Sequence, residues 1–266
     1  MHYIFSNSGK SALTQLRDNQ RSLFAFDFDG TLTQIVRRPT DALLPDLTRR
    51  ILQDLATRAR VAIISGRALI SLENLICSPK IWLIGNHGIE GLDWPAPLIT
   101  DLHRIAQGWA EVLNSRAWAG VETENCELEN KTYSLSLHYR NAKNQNLAKQ
   151  EALNSIQKLT PSPRCIFGKC VINLIPKQAP NKGKAILELM LLTHRSRAIY
   201  VGDDYTDEDV FALNHPDIVT VRIGQSPNSR ARFYLEKQTE VDTLLRYLLR
   251  QSQADELPLA GTSNPS

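Results

Sequence analysis

The chain has 266 residues, of which 42% are hydrophobic and 22% are charged, a composition typical of a globular protein with one large or two smaller domains. The formal net charge is only +3, and the basic residues are scattered along the chain, which argues against a nucleic-acid-binding surface. No apolar run reaches the ~18 residues of a membrane span, and the first residues do not resemble a secretory signal. The four cysteines lack metal-site spacing. We therefore expect free thiols in a cytoplasmic protein.

Four short apolar runs predict buried strands, and each is followed by small, polar or charged residues. The runs are LFAFDFDGT (residues 23–31), RVAIISGR (60–67), KIWLIGNHG (80–88) and RAIYVGDD (197–204). Helical patterns at residues 46–58, 69–76 and 182–192 precede the last three runs. Apolar strands that alternate with helices indicate an α/β fold with a parallel sheet covered on both faces. Because ligands bind beyond the carboxyl ends of such strands, we expect the four polar clusters to form one site.

Residues 97–176 have a different pattern, which predicts a smaller α+β domain inserted into the larger one. Helical stretches near residues 98–115 and 146–158 lie on either side of YSLSLHYR (133–140), where polar and apolar residues alternate as in a sheet with one open face. Residues 165–176 are predicted to form paired strands that turn near Gly168. We therefore assign residues 1–96 and 177–250 to the larger domain and 97–176 to the insertion, and expect the polar residues 251–266 to be disordered.

Acidic clusters follow the first and the last of the predicted strands. Asp27 and Asp29 are two residues apart, so their side chains share one side of an extended strand. The segment GDDYTDED (202–209) supplies the second cluster, which consists of Asp203, Asp204, Asp207, Glu208 and Asp209. Some of these acids are expected to cap the following helix, but capping does not explain adjacent aspartates directly after a buried strand. Together the clusters predict a site for a hard divalent cation, and Mg²⁺ fits best.

The other clusters supply donors that suit a phosphate group. Thr31 and Ser65 offer hydroxyls, and the backbone amides after Asp27 and Ser65 can form a concave anion site. Lys182 lies in the first turn of a predicted helix, where the helix dipole disfavours a cation. This unfavourable position favours a functional role for Lys182, with Lys184 as the alternative.

These motifs resemble those of a known enzyme superfamily. DFDGT, SGR, NKG and GDDYTDED, in that order, resemble the four motifs of haloacid dehalogenase superfamily phosphatases. GNHGIEG (85–91), ELENKTYSLSLHYR (127–140) and PNKGKAI (180–186) resemble segments of the trehalose-6-phosphate phosphatase family. The resemblance implies a Rossmann-like, haloacid dehalogenase-like core with an inserted α+β cap domain. It also implies Mg²⁺-dependent hydrolysis of trehalose 6-phosphate to trehalose and phosphate, a step of trehalose biosynthesis.

The resemblance also implies roles for individual residues. Asp27 is implied to be the nucleophile that forms an aspartyl-phosphate, and Asp29 the general acid and then the base. The implied metal-site residues are Asp27, the backbone carbonyl of Asp29, and Asp203, with Asp204 and Asp207 in support. Ser65 and Lys182 are implied to stabilise the charge on the transferring phosphoryl oxygens, and Thr31, identified above from its hydroxyl, completes the predicted catalytic residues. The implied sugar-binding residues are Arg67, Asn86, His87, Gly88 and Glu90 in the core, and Glu129, Lys131, His138 and Arg140 in the insertion.

The chain departs from the family pattern at two positions. Family members usually carry a glutamate and, two residues later, a basic residue just before a proline. Here that proline is Pro176, and the two positions hold Asn173 and Ile175. Because a carboxylate binds sugar hydroxyls more strongly than an amide does, another sugar phosphate is an alternative substrate, such as a glycosylglycerol, mannosylglycerate or sucrose phosphate.

Two further alternatives belong to functional classes other than the phosphatases. Phosphotransfer within a sugar, as in mutases of the superfamily, would use the same core. A non-catalytic sugar-phosphate-binding module would be expected to lack one of the catalytic residues, and all of them are present. The segment SNSGKSA (6–12) does not match a nucleotide-binding phosphate loop, because Ile4 stands where that loop requires glycine. We therefore expect a small-molecule sugar phosphate as partner, rather than nucleic acid or a membrane.

Overall fold

The computed structural model of the protein describes residues 1–36, 41–116 and 126–253. These residues form two compact units, which are described separately. The first unit comprises residues 1–92 together with the chain from Asn181 onward, and the second comprises residues 93–180. The insertion predicted at residues 97–176 falls within the second unit.

The strands and helices are numbered in chain order. The strands are β1 (His2–Tyr3), β2 (Ser22–Phe26), β3 (Arg60–Ile64), β4 (Ile81–Ile84), β5 (Glu127–Asn130), β6 (Leu135–His138), β7 (Arg164–Gly168), β8 (Val171–Ile175), β9 (Arg197–Gly202), β10 (Ile218–Ile223) and β11 (Phe233–Leu235). The helices are α1 (Asn7–Thr14), α2 (Asp46–Ala56), α3 (Leu69–Ile76), α4 (Ala96–Arg116), α5 (Gln145–Ile156), α6 (Lys182–Leu192), α7 (Glu208–Phe211) and α8 (Val241–Gln253).

The first unit is built on a seven-stranded parallel sheet with the order β1-β11-β10-β9-β2-β3-β4. Helices cover both faces of this sheet. Phe24 and Phe26 of β2 belong to a core that includes apolar residues of α1, α2 and α8. Leu23 and Ala25 of the same strand belong to a second core with α6 and α7. The predicted α/β class with a parallel sheet is therefore confirmed.

Several element boundaries of the first unit match the prediction, and three strands of this unit were missed. Helices α3 and α6 begin and end at the predicted residues, whereas α2 ends at Ala56, before the predicted residue 58. Strands β1, β10 and β11 were not predicted. Strands β1 and β11 are only two and three residues long, too short to form an apolar run, and Thr220 and Arg222 interrupt the apolar run of β10.

The second unit contains a four-stranded antiparallel sheet with the order β5-β6-β8-β7. One face of this sheet carries Leu135, Leu137, Ile172 and Leu174, which pack with apolar residues of α4 and α5. Glu129, Ser136 and Asn173 are paired across the strands, so their side chains share the other face. The predicted hairpin near Gly168 is confirmed as β7 and β8, while the predicted strand at residues 133–140 is shorter, because only β6 is extended.

Helix α8 extends to Gln253, so it includes the first residues of the predicted disordered tail, and the rest of that tail lies outside the described residues. Among the described helices, none is long and apolar enough to cross a bilayer. All four cysteines are free thiols, as predicted.

Candidate active site

The polar clusters of the first unit follow the carboxyl ends of neighbouring strands. Asp27 follows β2, Ser65 follows β3, and Asp203 follows β9. The strand ladder continues into Asp27 and Ser65, because the Asp27 amide donates to the Val201 carbonyl at 2.8 Å and the Ser65 amide to the Ile84 carbonyl at 2.9 Å. Their backbones are therefore fixed by the sheet itself.

Lys182 links the two acidic clusters. Its Nζ donates to Oδ1 of Asp27 at 2.7 Å and to Oδ1 of Asp207 at 2.8 Å. The lysine side chain is only 2% exposed, and the Asn181 side chain caps the start of α6 by accepting from the Lys184 amide. Lys184 itself is exposed, so the arrangement favours Lys182 as the lysine of the site.

Asp207 is a fully buried carboxylate whose acceptor positions are filled by protein donors. Its Oδ1 accepts from Lys182 and from the Tyr200 hydroxyl at 2.7 Å. Its Oδ2 accepts from the backbone amides of Asp203 at 2.8 Å and Asp204 at 2.9 Å. Since a carboxylate offers about four acceptor sites, Asp207 is best suited to orient Lys182 and the loop after β9.

Asp203 approaches the loop that follows β2 and carries Asp27. Its Oδ1 accepts from the Thr31 hydroxyl at 3.4 Å. Gly30 has a φ of +83°, and a Cβ at this position would lie 2.2 Å from Oδ2 of Asp203. Glycine is therefore required here both for the backbone conformation and for the close approach of the carboxylate.

Carboxylate oxygens of Asp27, Asp203 and Asp207 all lie within 4.8 Å of one another. Three carboxylates face one ammonium group, so negative charge remains uncompensated, and an all-oxygen donor set of this kind fits a hard cation such as Mg²⁺. Because Asp207 is saturated by protein donors, Asp27 and Asp203 are the residues suited to hold the ion directly. Asp204 instead accepts from the amide and hydroxyl of Thr206 and caps the turn that follows.

The pKa values of these groups reflect burial and crowded charge. Burial raises the pKa of Asp27 well above its ordinary value, the Lys182 ammonium opposes this, and the carboxylates of Asp207 and Asp203 add to it. The pKa of Asp203 is raised to about 7, first by burial and then by the charges of Asp207 and Asp204. Burial lowers the pKa of Lys182, but the carboxylates of Asp207 and Asp27 outweigh it and raise this pKa well above its ordinary value.

Asp29 does not join this cluster, because its carboxylate pairs with Arg67. Arg67 Nε donates to Oδ2 of Asp29 at 2.7 Å, and Nη2 donates to Oδ1 at 2.6 Å. The guanidinium carbon also lies 5.3 Å from the ring centroid of Phe28. The structure thus places Arg67, implied by the resemblance to bind sugar, on the predicted general acid.

The turn after β4 lies beside the loop after β3. His87 donates its amide to the Ser65 carbonyl at 2.9 Å, and the Asn86 amide donates to the Arg67 carbonyl at 2.6 Å. Asn86 and His87 are buried and have φ of 51° and 61°. This left-handed conformation is uncommon for residues other than glycine, and it recurs at functional sites. The Glu90 carboxylate accepts from the Leu69 amide at 2.5 Å and so caps α3, while Gly88 ends the turn at φ +114°.

The second unit brings three of its four predicted sugar-binding residues together. Glu129 Oε2 lies 2.9 Å from Nε2 of His138 and 3.7 Å from Nζ of Lys131. Arg140 lies apart from this group and donates to the Lys169 carbonyl at 2.8 Å. Asn173 Oδ1 accepts from the Ser136 hydroxyl at 2.7 Å on the same face as Glu129.

Three residues of the first-unit site were not identified from the sequence. Tyr200 and Asn181 position Asp207 and Lys182, and Gln238 donates to the Thr31 carbonyl at 3.0 Å. Tyr200 carries a polar tip inside an apolar strand just before Asp203, a pattern that could have identified it. Gln238 is 207 residues from its partner, and no local pattern predicts that contact.

Comparisons with known proteins agree with this geometry. The trehalose-phosphatase family model matches residues 25–238. The trehalose-phosphate phosphatase of Mycobacterium bovis is 32% identical over 251 residues, covering 89% of this chain but 63% of that protein. The chain therefore spans less than two thirds of the length of this curated relative.

Solved structures show the same fold. The C-terminal domain of the Candida albicans trehalose-6-phosphate phosphatase superposes with a TM-score of 0.67 at 25% identity, covering 91% of this chain and 96% of that one. A trehalose-6-phosphate phosphatase related protein gives a TM-score of 0.71 at 21% identity, covering 88% of this chain and 100% of that one. Because the family model matches the chain from β2 to Gln238, most of its length, the chain belongs to the trehalose-phosphatase family.

Proposed function

We propose that the protein is a Mg²⁺-dependent phosphatase that hydrolyses trehalose 6-phosphate to trehalose and phosphate through an aspartyl-phosphate. The observation that carries this proposal is the buried link from Asp27 through Lys182 to Asp207, with Asp203 beside it. Membership of the trehalose-phosphatase family supports the substrate, and four free thiols support a cytoplasmic location.

Asp27 is the proposed nucleophile. Lys182 engages Oδ1 of Asp27, while Oδ2 accepts no hydrogen bond from the described residues and is the oxygen available to attack phosphorus. The ammonium of Lys182 also offsets the charge that accumulates on the phosphoryl oxygens during transfer. Held by Asp27 and Asp203, Mg²⁺ would neutralise these carboxylates and attract the phosphate group.

Asp29 is the proposed general acid and base. It would give a proton to the leaving sugar oxygen and later take a proton from the water that attacks the aspartyl-phosphate. The hydroxyls of Ser65 and Thr31 are suited to donate to the phosphoryl oxygens, since both side chains lie on loops beside Asp27.

The face of the second unit's sheet that carries Glu129 and His138 is the proposed sugar-binding surface. Glu129, His138 and Lys131 form a connected polar group there, and such groups bind sugar hydroxyls through charge-assisted hydrogen bonds. Asn173 bonds to Ser136 on this face, and Ile175 is fully buried. This departure from the family pattern favours one alternative, in which the same core hydrolyses a different sugar phosphate.

Phosphate release from a panel of sugar phosphates tests the proposal. With Mg²⁺ present, we expect release to favour trehalose 6-phosphate and to vanish in Asp27→Asn or after chelation. Preference for another sugar phosphate would retain the mechanism and replace the substrate. Absence of release from every member of the panel would contradict the hydrolase function and support a binding module.

A further inference from the structure

We propose that Arg67 is a positioning residue that orients the general acid–base Asp29, and that it is not a sugar ligand. This inference rests on the proposed phosphatase function, and it assigns Arg67 a role different from the one that the family resemblance implies. Its basis is the two-point contact between the Arg67 guanidinium and the Asp29 carboxylate.

The contact fixes the plane of the carboxylate as well as its position. Nε to Oδ2 at 2.7 Å and Nη2 to Oδ1 at 2.6 Å form two parallel bonds. A single donor would leave a carboxylate free to rotate about its bond to Cβ, whereas a planar fork removes that freedom. The Asp29 side chain is 39% exposed, so packing alone does not hold it.

Arg67 is itself held more firmly than its partner. Its side chain is 11% exposed, and its guanidinium lies over the Phe28 ring. The Arg67 amide donates to the Ser65 hydroxyl at 3.3 Å, and its carbonyl accepts from Asn86 at 2.6 Å. The Arg67 guanidinium is thus fixed relative to the loop that carries Ser65, and its two hydrogen bonds fix the Asp29 carboxylate relative to the same loop.

Both steps of the proposed reaction need Asp29 at one spot. In the first, an Asp27 oxygen bonds to phosphorus, the bond from phosphorus to the sugar oxygen breaks, and the proton of Asp29 passes to that oxygen. In the second, water attacks phosphorus and gives a proton to Asp29, while the bond from phosphorus to Asp27 breaks. A carboxylate free to rotate would be misplaced in each step, and misplacement by about 1 Å costs roughly 100-fold in rate.

A substrate without a sugar separates the two roles of Arg67. p-Nitrophenyl phosphate has no sugar hydroxyls for Arg67 to bind. Because nitrophenolate leaves without a proton, formation of the aspartyl-phosphate from this substrate does not need Asp29 as an acid. We expect Arg67→Met to keep the initial burst of nitrophenol but to lower steady-state turnover about 100-fold, because the second step still needs the base. With trehalose 6-phosphate we expect kcat to fall by a similar factor while KM changes by less than about threefold.

Two further variants complete the test. Arg67→Lys should restore little turnover, because an ammonium group cannot form the two-point contact. Arg49→Met is the matched control, since among the described residues this part-buried arginine donates only to the carbonyls of Leu75 and Ile76. The turnover of this variant should match the wild type.

Three results would overturn the proposal. Unchanged steady-state turnover of p-nitrophenyl phosphate, together with a raised KM for trehalose 6-phosphate, would show that Arg67 binds sugar. Loss of the burst together with a lowered melting temperature would assign Arg67 a structural role. A crystal structure of Arg67→Met in which the Asp29 carboxylate keeps its orientation would also contradict positioning. A wild-type protein inactive on both substrates would instead reject the proposed function itself.

Discussion

The position of Lys182 on helix α6 determines that this lysine, and not Lys184, enters the site. Apart from the family resemblance, the sequence favoured Lys182 over Lys184 only through the dipole of the predicted helix. A stronger pattern was available, because Lys182, Ile186 and Leu189 lie on one buried stripe of α6. Residues two apart point to nearly opposite sides of a helix, so this stripe leaves Lys184 exposed. The contact with Asp27, 155 residues away, depends on the tertiary fold.

Replacing Lys182 should affect both activity and stability. In Lys182→Met we expect kcat to fall at least about 100-fold, because the phosphoryl charge loses its buried cation. The carboxylates of Asp27 and Asp207 lose their partner, which should lower the free energy of unfolding by about 3–5 kcal/mol. Steady-state kinetics and urea unfolding measure the two effects. Lys184→Met should match the wild type in both, and an equal loss there would argue against Lys182 as the functional lysine.

At the scale of the element, the strand ends determine the site. Sequence periodicity predicted β2, β3, β4 and β9 and the polar residues after each, because buried parallel strands are apolar along their whole length. It did not predict the partners of those polar residues. The pairing of Asp29 with Arg67 joins two loops 38 residues apart, and the saturation of Asp207 depends on the turn after β9.

Gly202, the last residue of β9, makes room for Asp207. A Cβ at this position would lie 2.2 Å from the Asp207 carboxyl carbon. In Gly202→Ala we expect Asp207 to shift away from Lys182, with turnover reduced at least about tenfold and a loss of about 1–3 kcal/mol in the free energy of unfolding.

Gly108→Ala is the control for Gly202→Ala. Gly108 lies inside α4, and an added Cβ would meet nothing within 4 Å. Alanine there should stabilise the protein by about 0.5–1 kcal/mol with turnover unchanged. If Gly202→Ala also left turnover unchanged and did not lower the free energy of unfolding, the close contact between Gly202 and the Asp207 carboxyl group would not matter for the site.

The sheet of the second unit offers a test of sugar recognition. Glu129→Ala removes the carboxylate that contacts His138 and Lys131. We expect KM for trehalose 6-phosphate to rise about tenfold, because charge-assisted hydrogen bonds to the sugar are lost, while p-nitrophenyl phosphate turnover stays the same. Glu111→Ala, at an exposed position on α4, is the control. An unchanged KM in Glu129→Ala would remove this face from the proposed sugar site.

At the scale of the whole molecule, we expect the acidic cluster to couple folding to proton binding and to the proposed Mg²⁺ binding. The pKa of Asp203 is about 7 in the folded protein and about 3.9 in an unfolded chain. At pH values between about 4 and 7, the Asp203 carboxylate therefore binds a proton in the folded state but not in the unfolded state. The stability contribution of this group is therefore full below about pH 4 and is lost as pH rises through about 7.

Mg²⁺ should reverse this loss, because it binds the ionised carboxylate. We expect Mg²⁺ affinity, measured by calorimetry, to weaken about tenfold from pH 8 to pH 6 as Asp203 takes up its proton. At about 100 times its Kd, Mg²⁺ should add about 2.7 kcal/mol to the free energy of unfolding. Asp203→Asn should abolish this stabilisation, whereas the exposed Asp217→Asn should retain it. Stabilisation by Mg²⁺ that does not depend on pH would contradict the role of Asp203.

The most direct test is to trap the covalent intermediate on the full chain. The protein is mixed with trehalose 6-phosphate and Mg²⁺, quenched with acid within milliseconds, and reduced with borohydride, which converts an aspartyl-phosphate to homoserine. Peptide mass spectrometry is then expected to find homoserine at residue 27, in place of Asp27, only when substrate and Mg²⁺ are both present. Phosphate release with Asp27 never modified, or with modification at another carboxylate, would contradict Asp27 as the nucleophile.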